Sequence, residues 1–234
     1  MPFPEIYSNI ISAAIVFFCF FTAIVSVPFY NTLYKKELLS DTRPTRKATS
    51  PFIYTAAAFF GLAVGIVFAI LDLKADDFFL IMMIPAAVTV CICDGQNSFV
   101  PVIGTVLTAI CAVLRMVALC VAEGALWPVL TFAAGGIFGL AIMLLINFIS
   151  KKTGSPSADK GHIAIVSVLW ASAGIVPGTV ILAAAEILAI LLYILPKFII
   201  AKHRKESVSF SQISYPLSPF LFLCYYAAAL IGIF

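Results

Sequence analysis

Two aspartates stand at polar breaks between long apolar stretches of this 234-residue sequence. Asp94 ends one apolar run, and Asp159 lies 65 residues later in a second polar break, Lys151 to His162. Two carboxylates held together in a partly dry site cannot both ionise easily, so they share a proton. One then acts as general base toward a water and the other as general acid toward a carbonyl oxygen. The pair therefore predicts aspartyl-protease chemistry, which needs neither a metal nor a cofactor.

The composition predicts the scaffold that must position these aspartates. The chain is 63% hydrophobic and 11% charged, whereas soluble domains average about 45–50% apolar and about 25% charged residues. We therefore expect an all-α, polytopic membrane helix bundle. At about 20 residues per span, the chain has room for about eight transmembrane helices. They form one membrane domain, with a first helix and a basic cytoplasmic loop in residues 1–50 and a core in residues 51–234. Nucleic acid is not an expected partner, because the net charge of +3 is modest.

Apolar runs predict where these helices begin and end. Asp94 terminates the third helix, Ser98 caps the fourth with Pro101 in its first turn, and the sixth begins at or just after Asp159. The six cysteines mostly lie inside apolar runs and show no metal-ligand spacing. The predicted helices cover about residues 10–27, 52–71, 78–93, 99–123, 126–149, 159 to a turn at 176–179, that turn to 200, and 217–234.

The distribution of basic residues predicts the orientation of the bundle, because loops kept in the cytoplasm are enriched in lysine and arginine. Lys74 and Arg115 fall on the opposite side, where we expect Arg115 to extend to the membrane interface. Both termini should therefore lie outside the cytoplasm, and Asp94 and Asp159 should meet at the cytoplasmic face of the inner membrane. Twelve of the 14 basic residues follow predicted helices one, three, five and seven: Lys35, Lys36, Arg43, Arg46, Lys47, Lys151, Lys152, Lys160, Lys197, Lys202, Arg204 and Lys205.

Three motifs resemble those of the type IV prepilin peptidases, which are GxGD-type intramembrane aspartyl peptidases. The first is an aspartate that ends a membrane helix and is followed seven residues later by a proline, here Asp94 and Pro101. The family's G-x-G-D motif looks like Pro156-Ser157-Ala158-Asp159. Its P-F-G-P-F motif, which opens the last helix, resembles Pro216-Leu217-Ser218-Pro219-Phe220. The order and spacing of the motifs extend the resemblance over roughly residues 51–234.

The resemblance implies an endopeptidase that removes the leader of type IV prepilin-like proteins at the cytoplasmic face of the membrane. Asp94 and Asp159 carry over as its catalytic pair. The chain departs from the family in lacking both motif glycines, and Gly161 stands where the family has a lysine. Many members also have two C-x-x-C pairs after the first helix that accompany N-methylation; residues 31–50 contain no cysteine, so methyltransferase activity is not expected. The residues implied to shape the site are Pro101, Ala158, Lys160, Pro216 and Pro219.

Two alternatives stay open at this point. A catalytically inactive homologue would bind pilin-like helices without cutting them. A small membrane transporter would use Glu186, because an ionisable group deep in a membrane helix is costly and usually functional. His162 and His203 lie in basic loops and are interpreted as solvated, although His162 could orient Asp159. Within the pair, we expect Asp94 to hold the shared proton longer, since it ends a helix while Asp159 begins one.

Overall fold

The computed structural model describes residues 3–35, 48–70, 77–153, 158–204 and 213–234. Within these ranges the protein is helical and contains no strand. The segment that joins α8 to α9, Ile190–Ile194, is a π-helix. The helices are α1 (Phe3–Lys35), α2 (Pro51–Ile70), α3 (Asp77–Met82), α4 (Ile84–Asn97), α5 (Val102–Glu123), α6 (Trp127–Thr153), α7 (Lys160–Ala173), α8 (Ile175–Ala189), α9 (Leu195–His203) and α10 (Ser218–Leu230).

Six segments of the described chain are long and apolar enough to cross a membrane. The protein is therefore a helical multi-pass membrane protein, as its composition predicts. Six such segments are fewer than the expected number of about eight, because α7 and α10 are too short to count among them. The six segments are Ile11–Tyr34, Pro51–Ile70, Asp77–Gln96, Val102–Glu123, Trp127–Thr153 and Ile175–His203.

Several residues used in the sequence analysis lie outside the described ranges. Six of the basic residues that predict the orientation belong to this group, as does the beginning of the second aspartate motif. They are Lys36, Arg43, Arg46, Lys47, Lys74, Lys205, Pro156 and Ser157.

The helix that contains Asp94 differs from its predicted bounds. It is divided near Met83 into α3 and α4, with a proline at the start of α4. It then continues past Asp94 to Asn97, because residues 95–97 complete its last turn despite their polarity. Ser98 closes this helix in a left-handed conformation (φ 53°), and its N–H donates to the carbonyl oxygen of Asp94 at 2.8 Å. The expectations that Asp94 ends the helix and that Ser98 caps the next one are therefore wrong; Pro101 occupies that N-cap.

The packing of α6, α7 and α8 is centred on the buried indole of Trp170. Its Nε1 donates to the carbonyl oxygen of Ile175 at 3.0 Å, and Phe138 meets the indole edge-on. Glycines at 139 and 178 leave the space that the indole fills, since a Cβ at either position would overlap it. One small residue in α6 and one in α8 thus allow the close packing of these helices around Trp170.

The turn between α7 and α8 lies at Gly174 rather than at the predicted residues 176–179. Gly174 has a φ of 88°, which favours glycine. Pro177 falls in the first turn of α8, where backbone N–H groups have no partner inside the helix. A proline at this position does not break α8. The pair Pro177-Gly178 therefore does not mark the end of the preceding helix, α7.

Arg115 does not extend to the membrane interface as expected from its position in α5. Its residue exposure is 4%, and its guanidinium lies 5.0 Å from the centre of the Phe234 ring. It also donates to the carbonyl oxygen of Phe234 at 3.4 Å. An aromatic face and a carbonyl oxygen can stabilise a guanidinium inside a protein, so this charge is accommodated within the bundle.

We predict that Gly178→Ala destabilises the protein by about 1–3 kcal/mol, the usual cost of overpacking a well-packed core. The new methyl group would overlap Trp170 and push α8 away from α7. Thermal unfolding in detergent measures the change. The matched control is Gly95→Ala in α4, where nothing lies within 4 Å of the added Cβ. Equal unfolding temperatures for Gly178→Ala and the wild type would contradict this account of the packing.

Candidate active site

The residues of the candidate site come from the last turn of α4 and the first turn of α7. Asp159 is the N-cap of α7, and its Oδ1 accepts the backbone N–H of His162 at 2.7 Å. An aspartate is favoured at an N-cap because its side chain satisfies one of the free N–H groups of the first turn. The same local contact brings the imidazole of His162 alongside Asp159. Asp94 reaches the imidazole from α4 on the other side.

The imidazole of His162 bridges the two aspartates. Its Nδ1 lies 2.7 Å from Oδ1 of Asp159, and its Nε2 lies 3.0 Å from Oδ1 of Asp94. The structure thus brings together both predicted catalytic residues, but it separates them by the width of an imidazole ring. His162 has an exposure of 7%, so its interpretation as a solvated loop residue is wrong. The direct sharing of a proton between the carboxylates is replaced by an Asp–His–Asp triad.

The backbone at the start of α10 completes the environment of Asp94. The N–H of Ser218 donates to Oδ2 of Asp94 at 2.6 Å. The N–H groups in the first turn of a helix lack partners within the helix and attract negative charge. Asp94 therefore lies in the last turn of α4 and also at the positive end of α10, a contact that only the fold creates. Its neighbours satisfy both of its oxygens.

The two carboxylates differ in their access to solvent. The side chain of Asp94 has an exposure of 0%, whereas that of Asp159 has an exposure of 23%. A buried carboxylate is costly unless it is hydrogen-bonded or paired with a cation. His162 meets this need for Asp94 and at the same time connects it to Asp159. Asp159 is therefore the carboxylate that water and a substrate reach first.

The contacts within the triad shift the pKa values of Asp159 and His162. Burial favours neutral Asp159, but hydrogen bonds from the imidazole and N–H of His162, and from the N–H of Val100, lower the pKa of Asp159 overall. Burial alone would lower the pKa of His162, but the hydrogen bonds to Asp159 and Asp94 and the charges of these aspartates raise it from 6.5 to about 9. At neutral pH the imidazole is therefore protonated and donates from both nitrogens.

A protonated imidazole that hydrogen-bonds both carboxylates holds one proton between them. A directly paired aspartate dyad likewise shares one proton. The triad therefore stores on His162 the one proton that acid and base chemistry requires. The expectation that Asp94 holds the shared proton longer than Asp159 stays a prediction.

Gly161 permits the close approach of α7 to the connection between α4 and α5. A Cβ at this position would overlap the carbonyl oxygen of Val100. In the sequence, Gly161 stands out only as the place of a missing lysine, and nothing in its neighbours reveals this packing role. The spacing of Asp159 and His162, three residues apart, is a signal that could have identified His162, because it is the spacing of an N-cap and the residue whose N–H it accepts.

The remaining predicted site residues lie around the triad. Pro101 caps α5 in an extended conformation, and Ala158 is partly buried against the core. Lys160 is exposed at the first position of α7, Pro216 is buried, and Pro219 lies in the first turn of α10. These residues surround the points where the three helices of the site begin or end.

The described residues contain no group of three or more His, Cys, Asp or Glu side chains arranged to hold a metal ion. In the triad, both imidazole nitrogens already contact carboxylate oxygens. The chemistry available from this arrangement is therefore proton transfer between Asp159, His162 and Asp94.

No family model, curated protein or solved structure matches this chain. The resemblance to the prepilin peptidases thus depends on the three sequence motifs alone. The geometry of the site is an independent observation, because the bridge through His162 was not part of that resemblance.

We predict that His162 titrates with a midpoint near pH 9 and that Asp159→Asn lowers this midpoint, because one carboxylate partner is lost. NMR of histidine-labelled protein in detergent measures the titration, and His162→Asn assigns the signal. A midpoint at or below 6.5 would contradict the bridge.

The same two pKa shifts make the stability of the fold depend on pH. The raised pKa of His162 contributes stability in full below pH 6.5, and this contribution is lost as the pH rises through about 9. The lowered pKa of Asp159 contributes stability above the ordinary value of 3.8, and that contribution is lost on further acidification.

Proposed function

We propose that the protein is an intramembrane aspartyl endopeptidase that cleaves the leader of type IV prepilin-like proteins at the cytoplasmic face of the membrane. The observation that carries this proposal is the single buried imidazole that hydrogen-bonds the carboxylates of Asp94 and Asp159. It supports a common catalytic unit built from exactly those aspartates whose spacing resembles the family motifs. The proposed reaction uses no metal and no cofactor.

In the proposed reaction, Asp159 acts first as general base, because it is the carboxylate that solvent reaches. It accepts a proton from the water whose oxygen attacks the scissile carbonyl carbon. In the proposed substrate complex, Nδ1 of His162 gives its proton to the carbonyl oxygen instead of donating to Asp159, while Nε2 keeps its contact with Asp94. When the C–N bond breaks, the leaving amine takes the proton from Asp159, and one hydroxyl group of the intermediate returns its proton to His162. The products are a carboxyl group and an amine, and the triad regains its starting protonation.

The proposal extends to the arrangement in the bilayer. Ser218–Ala229 is a shorter apolar helix beside the six long segments, and residues 163–173 of α7 carry no charged side chain. Counting both gives about eight membrane-embedded helices. With the charge distribution of the sequence, both termini lie outside the cytoplasm and the triad lies at the cytoplasmic face of the inner membrane. The absence of cysteines in residues 31–50 supports a peptidase without N-methyltransferase activity.

We predict that Asp94→Asn and Asp159→Asn each abolish cleavage of a prepilin-like substrate, because an amide keeps the carboxylate shape but cannot exchange the proton. His162→Gln should lower the rate by at least about 100-fold, the usual contribution of a positioned acid or base. Mass spectrometry of the products gives the cleavage site and should show no added methyl group. Chromatography in detergent confirms that each variant is folded.

Glu186→Gln is the matched control, because it removes a carboxylate of α8 that does not belong to the triad. This variant should still cut. Near wild-type cleavage by either aspartate variant would exclude the triad as the site. Binding of the substrate without cleavage by the wild type would instead favour the inactive homologue.

We predict that a cysteine placed at Thr153, at the end of α6, resists an impermeant thiol reagent in intact cells. A cysteine at Ala125, in the turn just before the other end of the same helix, should react. Both positions are exposed to solvent or to the membrane surface, so their different labelling reports the side of the membrane. The reverse labelling pattern would place the triad on the outer face and contradict the proposed substrate.

A proton-coupled transporter is the second candidate function. The observation that favours it is Glu186, which lies within the long segment Ile175–His203 and accepts a hydrogen bond from the hydroxyl of Tyr215. This alternative would be supported if the wild type cleaved no substrate and if Glu186→Gln abolished proton-coupled transport.

A further inference from the structure

The hydroxyl of Ser218 is a buried polar group beside the triad that the proposed reaction does not use. Ser218 begins α10 and has an exposure of 0%. Its backbone N–H donates to Asp94, but its Oγ is buried and forms no hydrogen bond with the residues that the structure describes. Burying a hydroxyl without a partner costs free energy. This hydroxyl therefore needs an explanation other than the stability of the resting fold.

Covalent geometry keeps the hydroxyl of Ser218 within reach of Asp94. The Oγ of a serine lies within about 4 Å of its own backbone nitrogen, and here that nitrogen lies 2.6 Å from Oδ2 of Asp94. Staggered rotamers at about ±60° place Oγ beside the nitrogen. Rotation about one bond thus brings the hydroxyl to the oxygen that already accepts the N–H of the same residue. A carboxylate oxygen accepts more than one hydrogen bond, so Oδ2 has room for both donors.

The donors to Asp94 change when the proposed reaction begins. In the resting triad, the protonated imidazole of His162 gives Asp94 a cationic partner. When Nδ1 of His162 gives its proton to the substrate, Asp94 keeps two neutral donors, Nε2–H and the N–H of Ser218. A further donor at this moment replaces part of the lost attraction. An interaction that forms only after the proton has moved lowers the barrier without strengthening the binding of substrate.

We propose that Ser218 is a positioning residue whose hydroxyl turns to Oδ2 of Asp94 as His162 gives up its proton. The hydroxyl acts through Asp94 and keeps its own proton. Its effect on the rate rests on the proposed function, whereas its effect on the titration of His162 requires no cleavage. The motif that this segment resembles has a glycine at the place of Ser218, so the hydroxyl is not part of that resemblance.

The titration of His162 reports the donors to Asp94. A donor that joins Asp94 when the imidazole is neutral favours the neutral form, so removing this donor should raise the midpoint of His162. Other titratable groups near the site lie on α4, on α7, on α8 and in the chain before α10, and NMR of the labelled imidazole separates its signal from theirs. Among the described residues these groups are Cys91, Cys93, Asp159, Glu186 and Tyr215.

The test compares the midpoint of His162 in the wild type and in Ser218→Ala, which removes the hydroxyl and keeps the backbone N–H. The midpoint should rise by about one pH unit, because a hydrogen bond to a charged group favours one state at least about tenfold. Ser218→Gly should give the same rise. The matched control is Thr89→Val, which removes a second buried hydroxyl without a described partner. Thr89 precedes Asp94 by five residues and faces another side of α4, so its loss should leave the midpoint unchanged.

Two further measurements separate a role in the reaction from a role in folding. At neutral pH, Ser218→Ala should unfold at the temperature of the wild type or higher, because the resting hydroxyl has no described partner to lose. During cleavage of a prepilin-like reporter, Ser218→Ala should lower kcat about tenfold and leave KM unchanged. The alkaline limb of its rate profile should move to higher pH together with the midpoint of His162.

The outcomes distinguish this role of Ser218 from the proposed function. A midpoint in Ser218→Ala that stays at the wild-type value or falls would overturn the role, even if the wild type cuts the reporter. A lower unfolding temperature would show that the hydroxyl has a partner in the resting protein and would also count against it. A raised midpoint, in a protein whose wild type cuts no reporter, would support the contact with Asp94 and contradict the peptidase.

Discussion

The proton on His162 is the constraint on which the arrangement of the site depends. It lets one imidazole donate to two carboxylates, one of them with a fully buried side chain, and it joins α4 to α7 through side chains. Removing one partner of such a buried charged group typically costs about 3–5 kcal/mol, because the other charge is left unpaired. The same proton is the one that a hydrolytic reaction would transfer. Stability of the site and its proposed chemistry therefore depend on a single ionisation.

The apolar scaffold makes this ionisation possible by bringing three helix ends to one place. Trp170 locks the α7–α8 hairpin onto α6, which fixes the direction in which the first turn of α7 points. Gly161 then lets that turn approach the backbone of Val100 without a clash. The start of α10 closes the site from a third side with the N–H of Ser218. Each of these contacts lies outside the triad, yet each determines a distance within it.

The sequence was sufficient to predict a helical membrane bundle and to select Asp94 and Asp159, because long apolar runs and their polar breaks are strong local signals. It did not reveal His162 as the bridge, since the contact from Asp94 spans 68 residues and only the fold creates it. The polar residues after Asp94 predicted an end of α4 that is too early, because Gly95, Gln96 and Asn97 complete one more helical turn. Arg115 was misjudged for a related reason: its partner, Phe234, is distant in sequence.

The hydrogen bond from Ser218 to Asp94 has a consequence for how this site can vary among sequences. Its donor is a main-chain N–H, which every amino acid except proline possesses. The residue at 218 can therefore change identity while the contact to Asp94 is maintained, provided that the helix still starts there. A serine in place of the glycine in the motif it resembles is compatible with this contact. The contact requires a particular direction of the backbone N–H at this position, which the flanking prolines help to fix. It does not require a particular amino acid.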